Sequence, residues 1–229
     1  MKSKQNKDSL QKTKLNYTDI IWDFDGTIVD TYPCVLKSIN DCLACFGIYE
    51  DDENTLKILK QSSSSTLVNY FIEKYNKFTV PEFFEKYDEI DCSLKNYDTM
   101  QLPCGIIDLL KRIVELGGRN FLVTNRIETV LPLIKMLNVE QYFTDVEYVG
   151  KNGLRAWKPA PTMFENCIKK YNLQKQNILS VGDRPLDAIA SHNAGVAVCL
   201  INADLSTAEV KPEFQASNIA EIRKIIINE

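Results

Sequence analysis

The sequence predicts an α/β protein: a doubly wound, Rossmann-like parallel sheet core carrying an inserted all-helical cap subdomain. Short apolar runs recur at Ile20 to Phe24, Phe121 to Thr124, Val146 to Val149, Ile178 to Val181 and Val196 to Ile201, each the length of a buried strand. Between several of them lie helically spaced apolar residues, such as Ile106, Leu109, Leu110, Ile113 and Leu116, or Val130, Leu133, Ile134 and Leu137. Strands alternating with helices imply a parallel sheet covered on both faces. Residues 31–98 break that alternation, because they carry successive helical patterns and no convincing strand.

Taken in order, residues 1–17 (MKSKQNKDSLQKTKLNY) are rich in Lys, poor in apolar residues and without Arg, as expected of a flexible, solvated tail. Residues 18–30 and 99–229 form the expected catalytic core, opened by DIIWDFDG, an apolar strand ending in an abrupt glycine. Within 31–98, helices are expected at Val35 to Phe46, Glu53 to Lys60, Ser65 to Tyr75 and Pro81 to Tyr97. Thr79-Val80-Pro81-Glu82 supplies a capping-box spacing and a first-turn proline to the last of these, and a serine run precedes Thr66. Ile219, Ile222, Ile225 and Ile226, interleaved with Glu221, Arg223 and Lys224, predict a final amphipathic helix.

Composition narrows the classes of function. The 229 residues are 45% hydrophobic and 25% charged, which excludes fibrous and wholly disordered chains. With 27 Lys+Arg against 31 Asp+Glu the net charge is -4, a poor match for a nucleic-acid binder. No apolar run is long enough to span a bilayer and the first residues lack a secretory core, so a cytoplasmic protein with no membrane partner is expected, acting as a monomer or homodimer. Seven cysteines without a compact framework read as free thiols, and the Cys42/Cys45 pair lies inside a helical pattern as packing. His192, the single histidine, falls near a helix end and excludes any triad built on histidine elsewhere.

The residues that carry chemistry cluster at predicted strand ends. In DFDGTIVD, Asp23 and Asp25 stand at i and i+2 and so face one side, while Gly26 lets backbone approach an anion. Thr124 closes the strand in FLVTN, Lys158 stands in WKPAP, and Asp183 and Asp187 close the last set in VGDRPLD. In an open α/β sheet those ends line the crevice where ligands bind. Pro159 biases Lys158 toward an extended conformation and Pro161 suits the first turn of a helix, which holds the lysine just outside that helix.

These four segments, in this order, resemble the four motifs of the haloacid dehalogenase-like hydrolase superfamily over roughly Ile20 to Ile201. The resemblance implies a phosphatase in which Asp23 attacks phosphorus to give an aspartyl-phosphate. It implies that Asp25 protonates the leaving oxygen and then activates water, that Thr124 and the Asn125 backbone amide bind phosphoryl oxygens beside Gly26, and that Lys158 balances charge. Four crowded carboxylates and an incoming phosphate dianion call for a hard divalent cation, Mg²⁺. By resemblance its ligands are the Asp23 carboxylate, the Asp25 carbonyl and the Asp183 carboxylate, with Asp187 supporting through water or by orienting Lys158. Thr27 and Asp30 are expected to hold the loop, and Arg126 to reach either substrate or a neighbouring acid.

The insertion resembles the helical cap of the phosphoglycolate phosphatase and β-phosphoglucomutase branch, which closes over a small phosphate ester. Dehalogenation is disfavoured, since it needs no second acid such as Asp25. A phosphomutase needs an Arg fork for its second phosphate, and residues 31–98 contain no arginine. Gln61 to Ser65, where a mutase cap presents that arginine, is the candidate specificity loop and equally a helix-capping run. The alternatives are a phosphomutase or a non-catalytic phosphate-ligand binding protein; a phospho-acceptor receiver domain needs neither this length nor a lid.

Overall fold

A computed structural model describes residues 13–153, 156–206 and 209–228. Six strands form one parallel sheet: β2 (Asp19–Trp22), β3 (Arg119–Thr124), β4 (Phe143–Tyr148), β5 (Ile178–Gly182), β6 (Ala197–Ile201) and β7 (Phe214–Ala216), in the order β4-β3-β2-β5-β6-β7. The chain runs from β2 outward to β4 on one side, then returns to β5 on the other. The strand order therefore reverses beside β2, and in such sheets the crevice at the carboxyl ends of the flanking strands is the ligand site.

The period of two along each strand divides the core into two layers. Ile20, Trp22, Leu122, Leu179 and Val181 pack with α5 (Ile106–Glu115), α6 (Val130–Met136) and α9 (Ile219–Ile226). Ile21, Phe121, Val123 and Ile178 face α7 (Thr162–Tyr171) and α8 (Pro185–Ala194) on the other side. Each fully buried Ile, Leu or Phe contributes about 1.5–3 kcal/mol of transfer free energy. Polar groups within the first layer are paired: Trp22 Nε1 donates to Asn120 Oδ1 at 2.9 Å, and Asn120 Nδ2 donates to the Leu110 and Tyr142 carbonyls.

Between β2 and α5 lie α1 (Tyr32–Cys45), α2 (Asp52–Gln61), α3 (Ser64–Tyr75) and α4 (Val80–Cys92). They enclose a core of their own that includes Leu43, Leu67, Phe71, Phe78 and Phe83. Ser63 caps α3 by accepting from the Thr66 N–H, and Thr79 with Glu82 forms the capping box that starts α4. Cys42 is buried in this core, where burial pushes its thiol up to about 12, whereas Cys45 is exposed; all seven cysteines are free thiols. His192 sits in the last turn of α8, 3.2 Å from Glu213.

The chain differs from its sequence pattern in three places. Helix α4 ends at Cys92 rather than Tyr97, because Ser93 Oγ bonds back to the Ile90 carbonyl and Leu94 adopts a left-handed φ of 55°, which turns Asn96 and Tyr97 inward. Within the segment expected to be a tail, Lys14 and Leu15 form β1, antiparallel to β8 (Ile227–Asn228), and Leu15 packs into the first core layer. Residues 1–12 of that segment lie outside the described residues. Strand β7 completes the sheet edge on only three residues, too few to show a period.

Candidate active site

The strand β2 ladder carries on for one residue past Trp22, through the Asp23 N–H to the Val181 carbonyl at 2.8 Å, and this fixes Asp23 at the mouth of the sheet beside β5. The chain then folds into a tight loop closed by Gly26 N–H to the Val29 carbonyl. Gly26 has φ +76°, and a Cβ there would stand 2.1 Å from Asp183 Oδ2. Only glycine lets the loop lie against that carboxylate. Gly182 does the same for Asp187, whose Cβ a side chain would meet at 2.5 Å.

Lys158 is the cation that bridges two carboxylates of the cluster, and Arg184 Nε lies 3.8 Å from the third, Asp183. Lys158 Nζ donates to Asp23 Oδ1 at 2.5 Å and to Asp187 Oδ1 at 2.6 Å, and all three side chains are almost completely buried. Burial alone would lower the Lys158 pKa, but Asp187 and Asp23 outweigh it and hold the lysine protonated above its ordinary value. Asp187 is fully engaged, since its Oδ2 accepts the Arg184 N–H at the start of α8. Asn125 clasps the lysine's backbone: its Oδ1 accepts from Lys158 N–H at 2.7 Å and its Nδ2 donates to the Lys158 carbonyl at 3.3 Å. Thr124 is buried next door, its Oγ accepting the Arg126 N–H at 3.1 Å, which leaves the hydroxyl proton to donate.

Asp23, Asp183 and Asp187 each offer an oxygen within 4.8 Å of the others. Like charges at that separation repel by about 3 kcal/mol per pair at an effective dielectric near 20. Burial pushes the Asp23 carboxyl up to about 6 despite Lys158, and pushes Asp183 up to about 8 despite Arg184. Asp23 Oδ2 and Asp183 Oδ1 are buried without a hydrogen-bond partner. Two orphaned hard oxygens beside a glycine-lined turn fit a small divalent cation. At the Asp183 oxygen that lies against Gly26, the Tyr32 hydroxyl donates to Oδ2 at 2.6 Å, and Lys60 Nζ of α2 lies 4.6 Å from the Tyr32 ring centroid.

Asp25 sits apart from this triad. Burial raises its carboxyl, but the Arg126 guanidinium reverses that and holds it below the usual carboxylate range, with the Thr31 hydroxyl also donating to it. Arg126 Nε donates to both Asp25 oxygens at 2.9 Å. Arg126 thus reaches acids, of which Asp91 at 3.2 Å is the second. Asp30 accepts the Tyr32 N–H in the loop, Thr27 is buried beneath it, and Gln61 Nε2 donates to Asp204 Oδ2 at 2.8 Å across to the core.

The structure therefore brings together Asp23, Lys158, Asp183 and Asp187, with Asn125 gripping the lysine backbone, and gives Asp25 an arginine partner. Tyr32 and Arg184 border the triad, Asp91 and Tyr97 surround Arg126, and the sequence pattern singles out none of the four. Arg184 lies between Asp183 and Asp187 in VGDRPLD, a signal that was available; Asp91 and Tyr97 carry no such local signal.

The pattern that defines haloacid dehalogenase-like hydrolases matches residues 20–201. A phosphoglycolate phosphatase of Pasteurella multocida is 26% identical over 226 residues, and one of Mannheimia succiniciproducens 27% over 222, each match covering 90% of this chain and 96% of the relative. A solved structure described as a predicted phosphoglycolate phosphatase from Haemophilus somnus superposes with a TM-score of 0.77 at 22% identity, over 92% of this chain and 98% of that one. The CbbY protein of Rhodobacter sphaeroides, solved in complex with phosphate, gives 0.71 at 17%, over 90% and 96%.

Proposed function

This chain belongs to the haloacid dehalogenase-like hydrolase family and is an enzyme of its phosphatase class, and from that premise we propose that it hydrolyses a small, phosphoglycolate-like phosphomonoester through an aspartyl-phosphate. The observation that carries the reading is the state of Asp23: one oxygen is held by Lys158 at 2.5 Å and the other is buried without a hydrogen-bond partner at the mouth of the crevice.

In this proposal Asp23 attacks the phosphorus, forming the Asp23 Oδ–P bond as the P–O bond to the leaving group breaks. Asp25, held ionised in the free site by Arg126, takes up the proton that a phosphate monoanion brings with it and passes it to the leaving oxygen, then takes one from the water that cleaves the acyl phosphate. Thr124 donates its hydroxyl to a phosphoryl oxygen together with the Asn125 backbone amide and the turn at Gly26, and Lys158 offsets the charge on nucleophile and phosphoryl group. Mg²⁺ would be held by the Asp23 and Asp183 carboxylates and the Asp25 carbonyl, and when bound it supplies Lewis-acid charge stabilisation and a template for the phosphate. Asp187 acts by orienting Lys158, because both its oxygens are already engaged. The helices from α1 to α4 form the lid that excludes bulk water. The enzyme acts in the cytoplasm, as a monomer or homodimer; no helix among the described residues is long and apolar enough to cross a membrane.

The test is continuous phosphate release from an aryl phosphate, phosphoglycolate, hexose phosphates, nucleotides and pyrophosphate, with Mg²⁺ or chelator, for the wild type and Asp23→Asn. Turnover that requires Mg²⁺, is abolished in the variant and favours one ester at least about tenfold, some 1.4 kcal/mol in the transition state, upholds the proposal. Folded wild-type protein that releases nothing with Mg²⁺ rejects it.

A further inference from the structure

Arg126 joins Asp25 to parts of the chain for which the catalytic roles above provide no task. While Nε holds Asp25, Nη1 donates to Asp91 at 3.2 and 3.4 Å and Nη2 donates to the Tyr97 hydroxyl at 2.7 Å. The Tyr97 hydroxyl in turn donates to Asp91, and Thr129 Oγ donates to the second Asp91 oxygen at 3.2 Å. The guanidinium carbon lies 4.8 Å from the Tyr97 ring centroid and 5.8 Å from that of Phe24. Arg126, Asp91 and Tyr97 are all buried, whereas the Asp25 side chain is one-fifth exposed.

These contacts have a mechanical consequence. A guanidinium is a rigid planar fork, so acceptors gripping one edge fix the direction of the other. Asp91 lies in the last turn of α4 and Tyr97 in the segment that returns from the helical insertion, whereas Asp25 belongs to the loop after β2. Asp91, with Tyr97 and Thr129 behind it, holds the inner edge, and the outer edge meets both oxygens of Asp25. Buried side chains with this many partners cannot swing independently of one another.

We propose that Asp91 is a positioning residue for the hydrolysis: through Arg126 it aims the Asp25 carboxylate at the leaving oxygen, so that the placement of α4 is transmitted to the reacting group. The inference rests on the phosphatase reading. Substituting Asp91 by Asn leaves Asp25 as the carboxylate partner of a buried guanidinium, and the fork turns toward it. Asp25 is then drawn from the crevice toward the interior. The deficit is specific: an ester with an alkoxide leaving group depends on a delivered proton, whereas a nitrophenolate departs without one.

The experiment compares kcat/KM of the full-length protein with Mg²⁺ on p-nitrophenyl phosphate and on an alkyl phosphate, for wild type, Asp91→Asn and Tyr97→Phe, with folding followed by circular dichroism. The alkyl-to-aryl ratio is expected to fall at least fivefold in Asp91→Asn, and in the same direction by less in Tyr97→Phe, which removes one hydroxyl and keeps the ring. Folded variants in which both esters change by one common factor overturn the inference and leave the phosphatase reading intact. If Asp91→Asn does not fold, the Tyr97→Phe ratio decides in the same way. Wild-type protein that turns over neither ester sinks the phosphatase reading and this inference with it.

Discussion

The ammonium of Lys158 donates to Asp23 Oδ1 at 2.5 Å across 135 positions of sequence, inside a site from which water is almost excluded. Removing one partner of a buried ion pair strands the other charge, at a cost of about 3–5 kcal/mol. Lys158→Met is therefore expected to lose about 3 kcal/mol of stability to unpaired Asp23 and Asp187, and at least about a hundredfold in turnover. Urea unfolding and phosphate release measure the two losses. A variant as stable as wild type would mean that the carboxylates near Lys158 are not both charged.

Asn125 reaches the same lysine by another route, because its side-chain amide holds both backbone polar groups of residue 158. Asn125→Ala keeps the backbone amide at position 125 and deletes only this clasp. Loss of two partly buried hydrogen bonds is expected to cost about 1–2 kcal/mol, and kcat to fall about tenfold as Lys158 loosens. Wild-type kcat in a correctly folded variant would show that the backbone amide alone matters.

Gly26 places backbone where a side chain would collide with Asp183. Gly26→Ala puts a methyl within 2.1 Å of Asp183 Oδ2 at a φ of +76°, a conformation costing an L-residue about 1–2 kcal/mol. Asp183 must yield, so Mg²⁺ affinity is expected to drop at least about tenfold while the fold persists. Isothermal titration with Mg²⁺ reads this directly, and unchanged affinity would remove Asp183 from the ligand set.

How much of this site the sequence shows depends on the range of the interactions. Asp23, Thr124 and Asp183 are legible because each ends an apolar run and parallel strands deliver their carboxyl ends to one edge. Lys158 becomes legible only in the company of those strand ends, since nothing local distinguishes it from a solvated loop lysine. Asp91 looks like a polar residue on an amphipathic helix; its burial is set by Arg126, which meets it only in the tertiary fold. Tyr97 is misplaced for a related reason. The helical period runs through it, and the chain leaves the helix at Leu94 through a left-handed residue that is not glycine, which no propensity rule announces. Strands β1 and β8 escape because two-residue segments have no period, only partners.

The raised carboxyls of Asp23 and Asp183 make metal binding and stability functions of pH. Burial favours the protonated form of each in the fold, at about 6 and about 8, against an unfolded value of about 3.9. A group whose folded pKa lies above its unfolded one contributes stability that is complete below the unfolded value and is lost as pH rises through the folded one. In chelator, the stability from these two groups should therefore decline between about pH 4 and pH 8. Asp183→Asn, which has no charge to bury, is expected to gain on wild type over the same interval, so that its Tm minus that of wild type is larger at pH 8 than at pH 5. Added Mg²⁺ selects the ionised carboxylates, and the Tm increment it gives wild type is expected to grow with pH across that window while remaining small in Asp183→Asn. Thermal unfolding at pH 5, 6.5 and 8, with and without Mg²⁺, measures all of these differences. An increment that shrinks toward pH 8, or a Tm difference that does not change with pH, would contradict an acidic pair whose ionisation is opposed by burial and favoured by metal.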